Sequence, residues 1–294
     1  MKVGVVSIVG RPNTGKSTLI NSLIGLKVAI TSNVSGTTRN NIMGIYNSDD
    51  SQIVFVDTPG IHKPVNKLGK QMNKSSYSSF EGVDIVMFMV DVTKPLGKGD
   101  KFVLEKIKEE NPEKVFLLLN KVDLIKKELL FEKITEYNEL YNFNEIIPIS
   151  ALKNDNLDDL INTIKEYLPE GDKMYDEEIY TDKSINFMAS ELVREKVLRL
   201  THEEVPHSVT CVVENYEDNK TSVHLNILII VEREGIKRIL VGHNGSMIKQ
   251  IGTEARSEIE ELINKKVYLE LFVKVVKNWR ETDKYLTEFG FKDE

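Results

Sequence analysis

Eight residues near the N-terminus have the types and spacing that bind a phosphate. Residues 10–17 read GRPNTGKS, with glycines at the first and sixth positions and Lys16 and Ser17 at the end. Glycine lets the backbone curl so that successive N–H groups point at phosphate oxygens. Lys16 supplies a point charge to the β- and γ-phosphates, and the Ser17 hydroxyl is a ligand for Mg²⁺. The segment predicts a nucleoside triphosphate site with magnesium.

A second motif, Asp57-Thr58-Pro59-Gly60, follows the apolar run QIVFV. A carboxylate at a strand end facing the phosphate loop is placed to hold Mg²⁺, and the Gly60 N–H can meet a γ-phosphate. Between these motifs lies SGTTRN, where a loop ordered by the triphosphate can add one hydroxyl to the metal. Thr37 and Thr38 are both candidates, and we favour Thr38. The predicted metal ligands are therefore Ser17, Thr38 and Asp57.

Two later segments select the base. Asn120-Lys121-Val122-Asp123 follows an apolar run, and the Asp123 carboxylate can accept from guanine N1–H and N2–H₂, donors that adenine lacks in that arrangement. The Asn120 amide can read O6 and N7, and the Lys121 stem can lie on the base plane. A backbone N–H of Ser150-Ala151-Leu152 can point at O6. The set predicts GTP and GDP over adenine nucleotides.

The residue after Gly60 is Ile61, where many small GTPases carry a glutamine that positions the attacking water. An aliphatic side chain cannot orient water, so we expect another group to assist. The Asn13 amide could help to bind K⁺ beside the β- and γ-phosphates, where the ion offsets developing charge. A loop histidine is more often solvated than catalytic, so His62 is disfavoured as a base.

The predicted catalytic residues are Asn13, Lys16, Thr38 and Gly60. The predicted nucleotide-binding residues are Gly10, Asn13, Thr14, Gly15, Lys16, Ser17, Thr18, Asp57, Gly60, Asn120, Lys121, Asp123, Ser150, Ala151 and Leu152.

The elements that must position these motifs alternate between apolar runs and helical patterns. The runs cover residues 2–9, 52–57, 84–91, 114–120 and 145–150, and they are uniformly apolar. Strands of that kind are buried on both faces, as in a parallel sheet covered by helices. The first part of the chain therefore predicts a doubly wound, mostly parallel α/β domain.

The later part of the chain has a different pattern. Residues 185–204 predict an amphipathic helix, 206–216 and 221–231 two strands, 236–241 a short helix, and 266–276 a strand after a longer helix. The order is α-β-β-α-α-β. Proline, glycine and acids interrupt the periodicity at LPEGDKMYDEE. We predict a nucleotide-binding domain over 1–170, a linker over 171–180 and a smaller α+β domain over 181–294, including a C-terminal helix.

Composition limits the partners and the compartment. The chain has 294 residues and a net charge of −7. Residues 175–294 carry 17 basic and 23 acidic side chains, so any nucleic-acid site must be local. The only cysteine, Cys211, cannot form an intramolecular disulfide, which indicates a reducing cytoplasm. No apolar stretch is long enough for a membrane span or signal peptide.

One loop of this domain, Gly242-His243-Asn244-Gly245, lies between two predicted helices. Glycines at both ends allow a close approach to a phosphodiester, and the following helix N-terminus adds N–H donors. The two residues between the glycines, His243 and Asn244, give the loop no fixed charge. Lys249, one turn later, can partly compensate.

Taken together, the segments GRPNTGKST, SGTTRN, DTPGIHKP, NKVD and SALK resemble the nucleotide motifs of the Era family of bacterial GTPases. TDKS, LVREKVLRLTHEEVPHSV, LVGHNGSMIKQIG and VKVVKNWR resemble the C-terminal domain of that family, so the resemblance spans nearly the whole chain. It implies a P-loop GTPase domain followed by a type II KH domain, whose G-x-x-G turn clamps single-stranded RNA.

The resemblance also implies binding near the 3′ end of small-subunit ribosomal RNA and a role in maturation of the 30S subunit. It implies coupling between the GTP state and RNA binding, and peripheral association with the inner face of the cell membrane. We expect Gly242, His243, Asn244, Gly245 and Lys249 to contact RNA, and the chain to act as a cytoplasmic monomer.

A second interpretation makes the chain a signalling or cell-cycle GTPase whose KH-like domain binds proteins, and the acidic charge of that domain favours it. A third, a GTPase of transfer-RNA modification or large-subunit assembly, is disfavoured because such enzymes are not expected to carry this C-terminal domain.

Overall fold

The computed structural model describes residues 1–292 and divides into two compact units. The first comprises Met1–Ala29, Thr38–Pro64 and Met72–Asp182. The second comprises Ile30–Thr37, Val65–Gln71 and the described residues from Lys183 onward. Two short segments that are early in the sequence thus belong to the second unit. The last two residues of the domain predicted over 181–294 lie outside the described residues.

The first unit is built on a six-stranded sheet. Its strands in chain order are β1 (Lys2–Val9), β2 (Ile42–Asn47), β3 (Ser51–Asp57), β4 (Ile85–Asp91), β5 (Val115–Asn120) and β6 (Glu145–Ile149). Their spatial order is β2-β3-β1-β4-β5-β6, and every pair is parallel except β2 with β3. The doubly wound, mostly parallel prediction is confirmed.

The helices between and after these strands are α1 (Lys16–Ile24), α2 (Lys67–Ser78), α3 (Lys98–Glu110), α4 (Lys127–Asn138) and α5 (Leu157–Tyr167). Of these, α2 begins in the segment Val65–Gln71 of the second unit, and only its part from Met72 belongs to the first unit. One hydrophobic cluster joins the sheet to α1 and α5, and a second joins it to α3 and α4. Every residue of β3, β4 and β5 is buried. Because both faces are covered, these strands are apolar at every position rather than at alternate ones.

The five apolar runs became strands to within one residue at each end. Strand β2 was not predicted, because its sequence, IMGIYN, is short and contains a glycine. It pairs antiparallel at the edge of the sheet, where Gly44 lets Ile20 approach closely.

The second unit contains α6 (Ile185–Leu200), β7 (Thr210–Asp218), β8 (Ser222–Val231), α7 (Glu234–Val241), α8 (Ser246–Ile263), β9 (Lys266–Val275) and α9 (Asp283–Glu288). The strands form a sheet in which β7 and β8 are antiparallel and β8 and β9 parallel. The predicted α-β-β-α-α-β order is confirmed. Alternate residues of β8 face a core formed with α6 and α8.

Two predicted boundaries in this unit were wrong. The helix predicted over 185–204 ends at Leu200, and the strand predicted from 206 begins at Thr210. Pro206 cannot continue a helix or donate to a strand ladder, so residues 206–208 form a 3₁₀ turn instead. Within residues 1–292, no helix is long and apolar enough to cross a bilayer.

Candidate nucleotide site and RNA-binding loop

The predicted phosphate loop joins β1 to α1. Because the N-cap of α1 is Gly15, no side chain covers the first N–H groups of the helix, which are the groups that bind anions. Lys16 is buried, and its Nζ donates to the carbonyls of Gly10 at 3.4 Å and Arg11 at 3.1 Å. Burial lowers the pKa of Lys16 to about 8, against the opposing charge of Asp57. The two carbonyls hold the ammonium group at the phosphate loop, and its burial has an unfavourable desolvation free energy.

The three predicted metal ligands converge. Ser17 Oγ lies 2.6 Å from Asp57 Oδ2 and 2.8 Å from Thr38 Oγ1, and Thr38 Oγ1 lies 3.3 Å from Asp57 Oδ2. Burial raises the pKa of Asp57, although Lys16 and both hydroxyls oppose the shift. Among the described residues, the buried Asp57 Oδ1 has no hydrogen-bond partner. An all-oxygen set with an unsatisfied carboxylate oxygen fits a hard cation such as Mg²⁺.

Thr37 is turned elsewhere. Its hydroxyl donates to the Val34 carbonyl at 2.6 Å and lies 2.6 Å from Ser32 Oγ. Of the two threonines that the sequence left open, only Thr38 has its hydroxyl beside Ser17 and Asp57 in this structure.

The Asp57–Gly60 motif packs directly on the phosphate loop. A Cβ on Gly60 would lie 2.5 Å from Pro12 N, so only glycine allows this approach. The Ile61 N–H donates to the Gly10 carbonyl at 3.1 Å, while the Ile61 side chain is fully buried in the core. His62 is half-buried, with Nδ1 2.7 Å from the Gly60 carbonyl. The position after Gly60 therefore offers no side chain that could orient water.

The base-recognition segments are tied to the phosphate loop. Asn120 is buried; its Nδ2 donates to the Thr14 carbonyl at 2.7 Å, and its Oδ1 accepts from the Ala151 N–H at 3.0 Å. Lys121 Nζ donates to the Asn13 carbonyl at 3.0 Å and pairs with Asp91 at 2.5 Å. Asn120 and Ala151 thus join two loops in this structure, and their contact with the base stays a prediction.

The other predicted nucleotide-binding residues lie around this framework. Asp123 is exposed in a 3₁₀ turn and Leu152 is exposed, while Thr14 and Ser150 are buried. Asn13 is exposed with φ of 65°, and Thr18 is in the first turn of α1. Asp91 was missed by sequence reasoning, although an acid at the end of the run DIVMFMVD was a signal that could have found it.

In the second unit, the predicted RNA-binding residues share one surface turn between α7 and α8. Gly242 has φ of 72° and ψ of 176°, a combination open essentially to glycine, and a Cβ there would lie 2.8 Å from Met247 N. Asn244 and Gly245 are left-handed, with φ of 50° and 77°. His243 and Asn244 are exposed, as is Lys249 in the first turn of α8. The Gly242 N–H donates to the Arg238 carbonyl at 2.9 Å and the Gly245 N–H to the Gly242 carbonyl at 3.3 Å, so both groups are bonded within the protein.

A phosphate loop with an all-oxygen metal set, together with a guanine-type Asn-Lys-x-Asp segment, defines a P-loop GTPase, here joined to a KH-type unit. Residues 5–121 match the family model described as a 50S ribosome-binding GTPase, and residues 204–280 match the KH domain. GTPase Era of Clostridium kluyveri is 45% identical over 293 residues, covering 99% of this chain and 100% of that protein. The chain belongs to the Era family of GTPases.

Solved structures agree with this assignment. A single-residue variant of Aquifex aeolicus Era bound to GDP and AlF4⁻ superposes with a TM-score of 0.95 at 40% identity, covering 99% of each chain. A structure of Era in complex with MgGDPNP and nucleotides 1506–1542 of 16S ribosomal RNA gives a TM-score of 0.96, again at 40% identity and 99% coverage of each chain.

Proposed function

We propose that this protein is a GTP-hydrolysing switch that binds the 3′ region of small-subunit ribosomal RNA and assists maturation of the 30S subunit. The observation that carries the proposal is the presence, in one chain, of the converging oxygen set at Asp57 and the glycine turn at 242–245. The Era–16S RNA complex, which matches over 99% of both chains, supports it.

The nucleotide site supplies positioning and charge. Lys16 and the N–H groups that open α1 bind the β- and γ-phosphates, and Ser17, Thr38 and Asp57 hold magnesium. The metal supplies positive charge that offsets the charge on the phosphate oxygens during transfer. Binding would also satisfy Asp57 Oδ1 and give buried Lys16 an anionic partner, which relieves two costs present in the ligand-free chain.

We propose that hydrolysis uses a monovalent cation near Asn13 in place of a glutamine. Ile61 is buried, and Asn13 is exposed in the phosphate loop, where its amide oxygen suits K⁺. Turnover should be about tenfold faster in K⁺ than in Na⁺ buffer, and Asn13→Ala should remove the difference. Equal rates in the two salts would refute this part of the proposal.

Asp123 is proposed as the acceptor that selects guanine. Asp123→Asn should weaken GTP binding about a hundredfold and favour the xanthine nucleotide, whose 2-oxo group needs a donor. Competition between fluorescent GTP and XTP measures the ratio, and Asp155→Asn is a matched control on the neighbouring loop. Unchanged guanine preference would contradict the assignment.

RNA recognition is proposed to rest on the backbone of residues 242–245. Phosphate can approach Gly242 and Gly245, the N-terminus of α8 adds N–H donors, and Lys249 adds charge. His243 and Asn244 contribute hydrogen bonds rather than fixed charge, so we expect the grip to be light.

Crosslinking of the full-length chain to cellular RNA, followed by sequencing, tests this function. The wild type should enrich a single-stranded segment at the 3′ end of small-subunit RNA. Replacement of His243 by Glu and Asn244 by Asp adds two negative charges without filling the turn, and should abolish the enrichment. Asn219→Asp, on the exposed β7–β8 turn, is the charge control. No RNA enrichment in the wild type would favour the protein-interaction alternative.

We further propose that the protein acts as a cytoplasmic monomer on the 30S subunit, with peripheral contact to the inner face of the cell membrane. These proposals rest on the family resemblance. Sedimentation of the purified chain tests each of these proposals. The chain alone reports the monomeric state, the chain with 30S subunits reports ribosome binding, and the chain with anionic vesicles reports membrane contact. Co-sedimentation with vesicles alone would contradict the ribosomal role.

A further inference from the structure

Helix α6 carries three consecutive charged residues that are all buried. Arg194 and Glu195 are 0% exposed and Lys196 is 3% exposed. A buried charge is costly unless it is paired and hydrogen-bonded, so the partners of these side chains indicate what they do.

The first two residues hold the segment 30–37, which belongs to the same unit as α6. Arg194 Nη2 donates to the Thr37 carbonyl at 2.5 Å. Glu195 Oε1 accepts from the Thr31 N–H at 2.9 Å. The two ends of the segment are therefore fastened to adjacent residues of one helix.

Other side chains hold this pair rigid. Glu191 binds Arg194 through both of its oxygens, at 2.7 Å to Nε and 2.5 Å to Nη2. Arg199 Nη2 lies 2.9 Å from Glu195 Oε1 and 3.4 Å from the Thr31 carbonyl. A bidentate pair fixes a guanidinium in direction as well as in place, so the donor aimed at Thr37 is preorganised.

Apolar packing adds to these bonds. Ile30 is part of the hydrophobic core of the second unit, and Val34 packs against that core. The segment is thus built into the second unit up to Thr37. The next residue, Thr38, belongs to the first unit, where its hydroxyl lies beside Ser17 and Asp57.

The peptide between Thr37 and Thr38 links the two sets of contacts. A trans peptide is planar, and its C=O and N–H point in opposite directions. When Arg194 fixes the Thr37 carbonyl, it also fixes the direction of the Thr38 N–H, a donor that can meet the γ-phosphate when the loop is ordered by the triphosphate.

We propose that Arg194 is a positioning residue for Thr38, and that Glu195 and Arg199 secure the other end of the same segment. The KH-type unit thereby contributes to the preference for GTP over GDP, since only GTP has the γ-phosphate that Thr38 contacts. The inference rests on the proposed GTP switch and adds the residues that set its selectivity.

Arg194→Met in the full-length chain tests the proposal, with Lys196→Met as its matched control. Lys196 is equally buried on the same helix but pairs with Glu195 and Glu258 rather than with residues 30–37. The measurement is the ratio of GTP to GDP affinity by fluorescent nucleotide titration, together with the Mg²⁺ concentration that half-saturates hydrolysis. Arg194→Met should lower the affinity ratio about tenfold and raise the Mg²⁺ requirement, with GDP affinity unchanged. Lys196→Met removes one partner of Glu195 but leaves the bonds to Thr31 and Thr37, so it should lower the affinity ratio by much less than Arg194→Met.

Two further variants keep the test decisive if Arg194→Met folds poorly. Replacing Glu191 and Arg194 together by Met leaves no unpaired buried carboxylate and should give the same loss. Arg199→Ala, at a half-exposed side chain, should lower the ratio about threefold, and Arg256→Ala on α8 should leave it unchanged.

An unchanged GTP-to-GDP ratio in a folded Arg194 variant would overturn the inference, as would an equal change in Lys196→Met. If the wild-type protein bound neither GTP nor GDP, the proposed GTP switch itself would be overturned. The two failures are therefore distinguishable.

Discussion

The nucleotide site and the 242–245 turn, which we propose bind anionic ligands, differ in how they are built. In the first, Lys16, Asp57 and Asn120 are buried, and the pKa values of Lys16 and Asp57 are shifted against their charged forms by burial. In the second, His243 and Asn244 are exposed, and the geometry resides in the backbone angles of Gly242, Asn244 and Gly245.

This difference predicts how each site fails. Burying charged groups without a ligand has an unfavourable desolvation free energy, and a bound nucleotide offsets it. The nucleotide site should therefore bind tightly, and its charged residues should lower the stability of the ligand-free protein. An exposed backbone turn has little desolvation free energy for a ligand to offset. Its binding should therefore be weaker and should depend on the turn's conformation and on salt concentration.

Lys16→Met should abolish GTP binding, with a loss of more than about a hundredfold, because the phosphate charge loses its partner. The same change should stabilise the nucleotide-free protein. A lysine whose folded pKa is about 8 rather than 10.5 costs roughly 3 kcal/mol of stability at neutral pH. That cost is complete below pH 8 and disappears as the pH rises towards 10.5.

Thermal unfolding without nucleotide, beside calorimetric titration with GTP, measures both effects. Lys98→Met, at an exposed lysine of α3, is the control and should alter neither quantity. A Lys16→Met protein that is less stable than the wild type would contradict the conclusion that burying the Lys16 charge lowers folding stability.

Gly242→Ala should weaken RNA binding by about thirtyfold and leave GTP binding intact. The backbone angles there exclude a side chain, and the added Cβ would meet Met247 N at 2.8 Å, so the turn must rearrange. Gly235→Ala in α7 meets open space and should be neutral or slightly stabilising. Fluorescence anisotropy with a single-stranded 3′ RNA fragment measures the difference; equal affinities for the two variants would show that the turn does not bind RNA.

The magnesium-dependent part of GTP affinity should fall as the pH falls, because Asp57 must be ionised to hold the metal. Its folded pKa is raised from 3.8 by burial, so protonation competes at a higher pH than for an ordinary carboxyl. Below that raised pKa, affinity should drop by up to about tenfold per pH unit. The folding stability of the ligand-free protein should depend on pH in the opposite direction. Because burial disfavours the ionised form of Asp57, the free energy of unfolding should decrease as the pH rises from 3.8 through the raised pKa.

Titrations with and without Mg²⁺ from neutral pH down to the unshifted value of 3.8 measure this loss of affinity. Asp57→Asn should have a flat profile. A flat profile in the wild type as well would show that Asp57 does not hold the metal.

His243→Lys should strengthen RNA binding only about threefold, because one fixed charge is added to an exposed turn. The slope of log affinity against log salt should steepen by about one. Gln250→Lys, exposed on α8, serves as a charge control, and an equal gain there would mean that position 243 has no special role.

Much of the fold was predictable because its signals are local. Strands β3, β4 and β5 are apolar at every position because both faces are covered, and this pattern can be read without a structure. The phosphate loop is similarly local, since Gly10, Lys16 and Ser17 act through one continuous turn. Edge strand β2 was missed because an edge does not require a uniform apolar run.

The loop-joining bonds of Asn120 and Ala151 could not be predicted from their motifs, and their contact with the base stays a prediction. The motifs supply an amide and a backbone N–H, but which partner each one meets depends on the distance between two loops. In the structure these groups bond to each other and to Thr14, and Lys121 finds Asp91, a residue from another strand.

The sequence by itself determined the class of chemistry, because residue type and short spacing fix what Gly10–Ser17, Asp57–Gly60 and Asn120–Asp123 can bind. It also determined the order of elements on either side of Gly242. The tertiary structure was needed to place the Thr38 hydroxyl beside Ser17, to leave Asp57 Oδ1 unsatisfied among the described residues, and to join residues 30–37 to Arg194 and Glu195. Burial and hydrogen-bond direction depend on residues that are 21 to 164 positions apart in these contacts, and no local pattern records them.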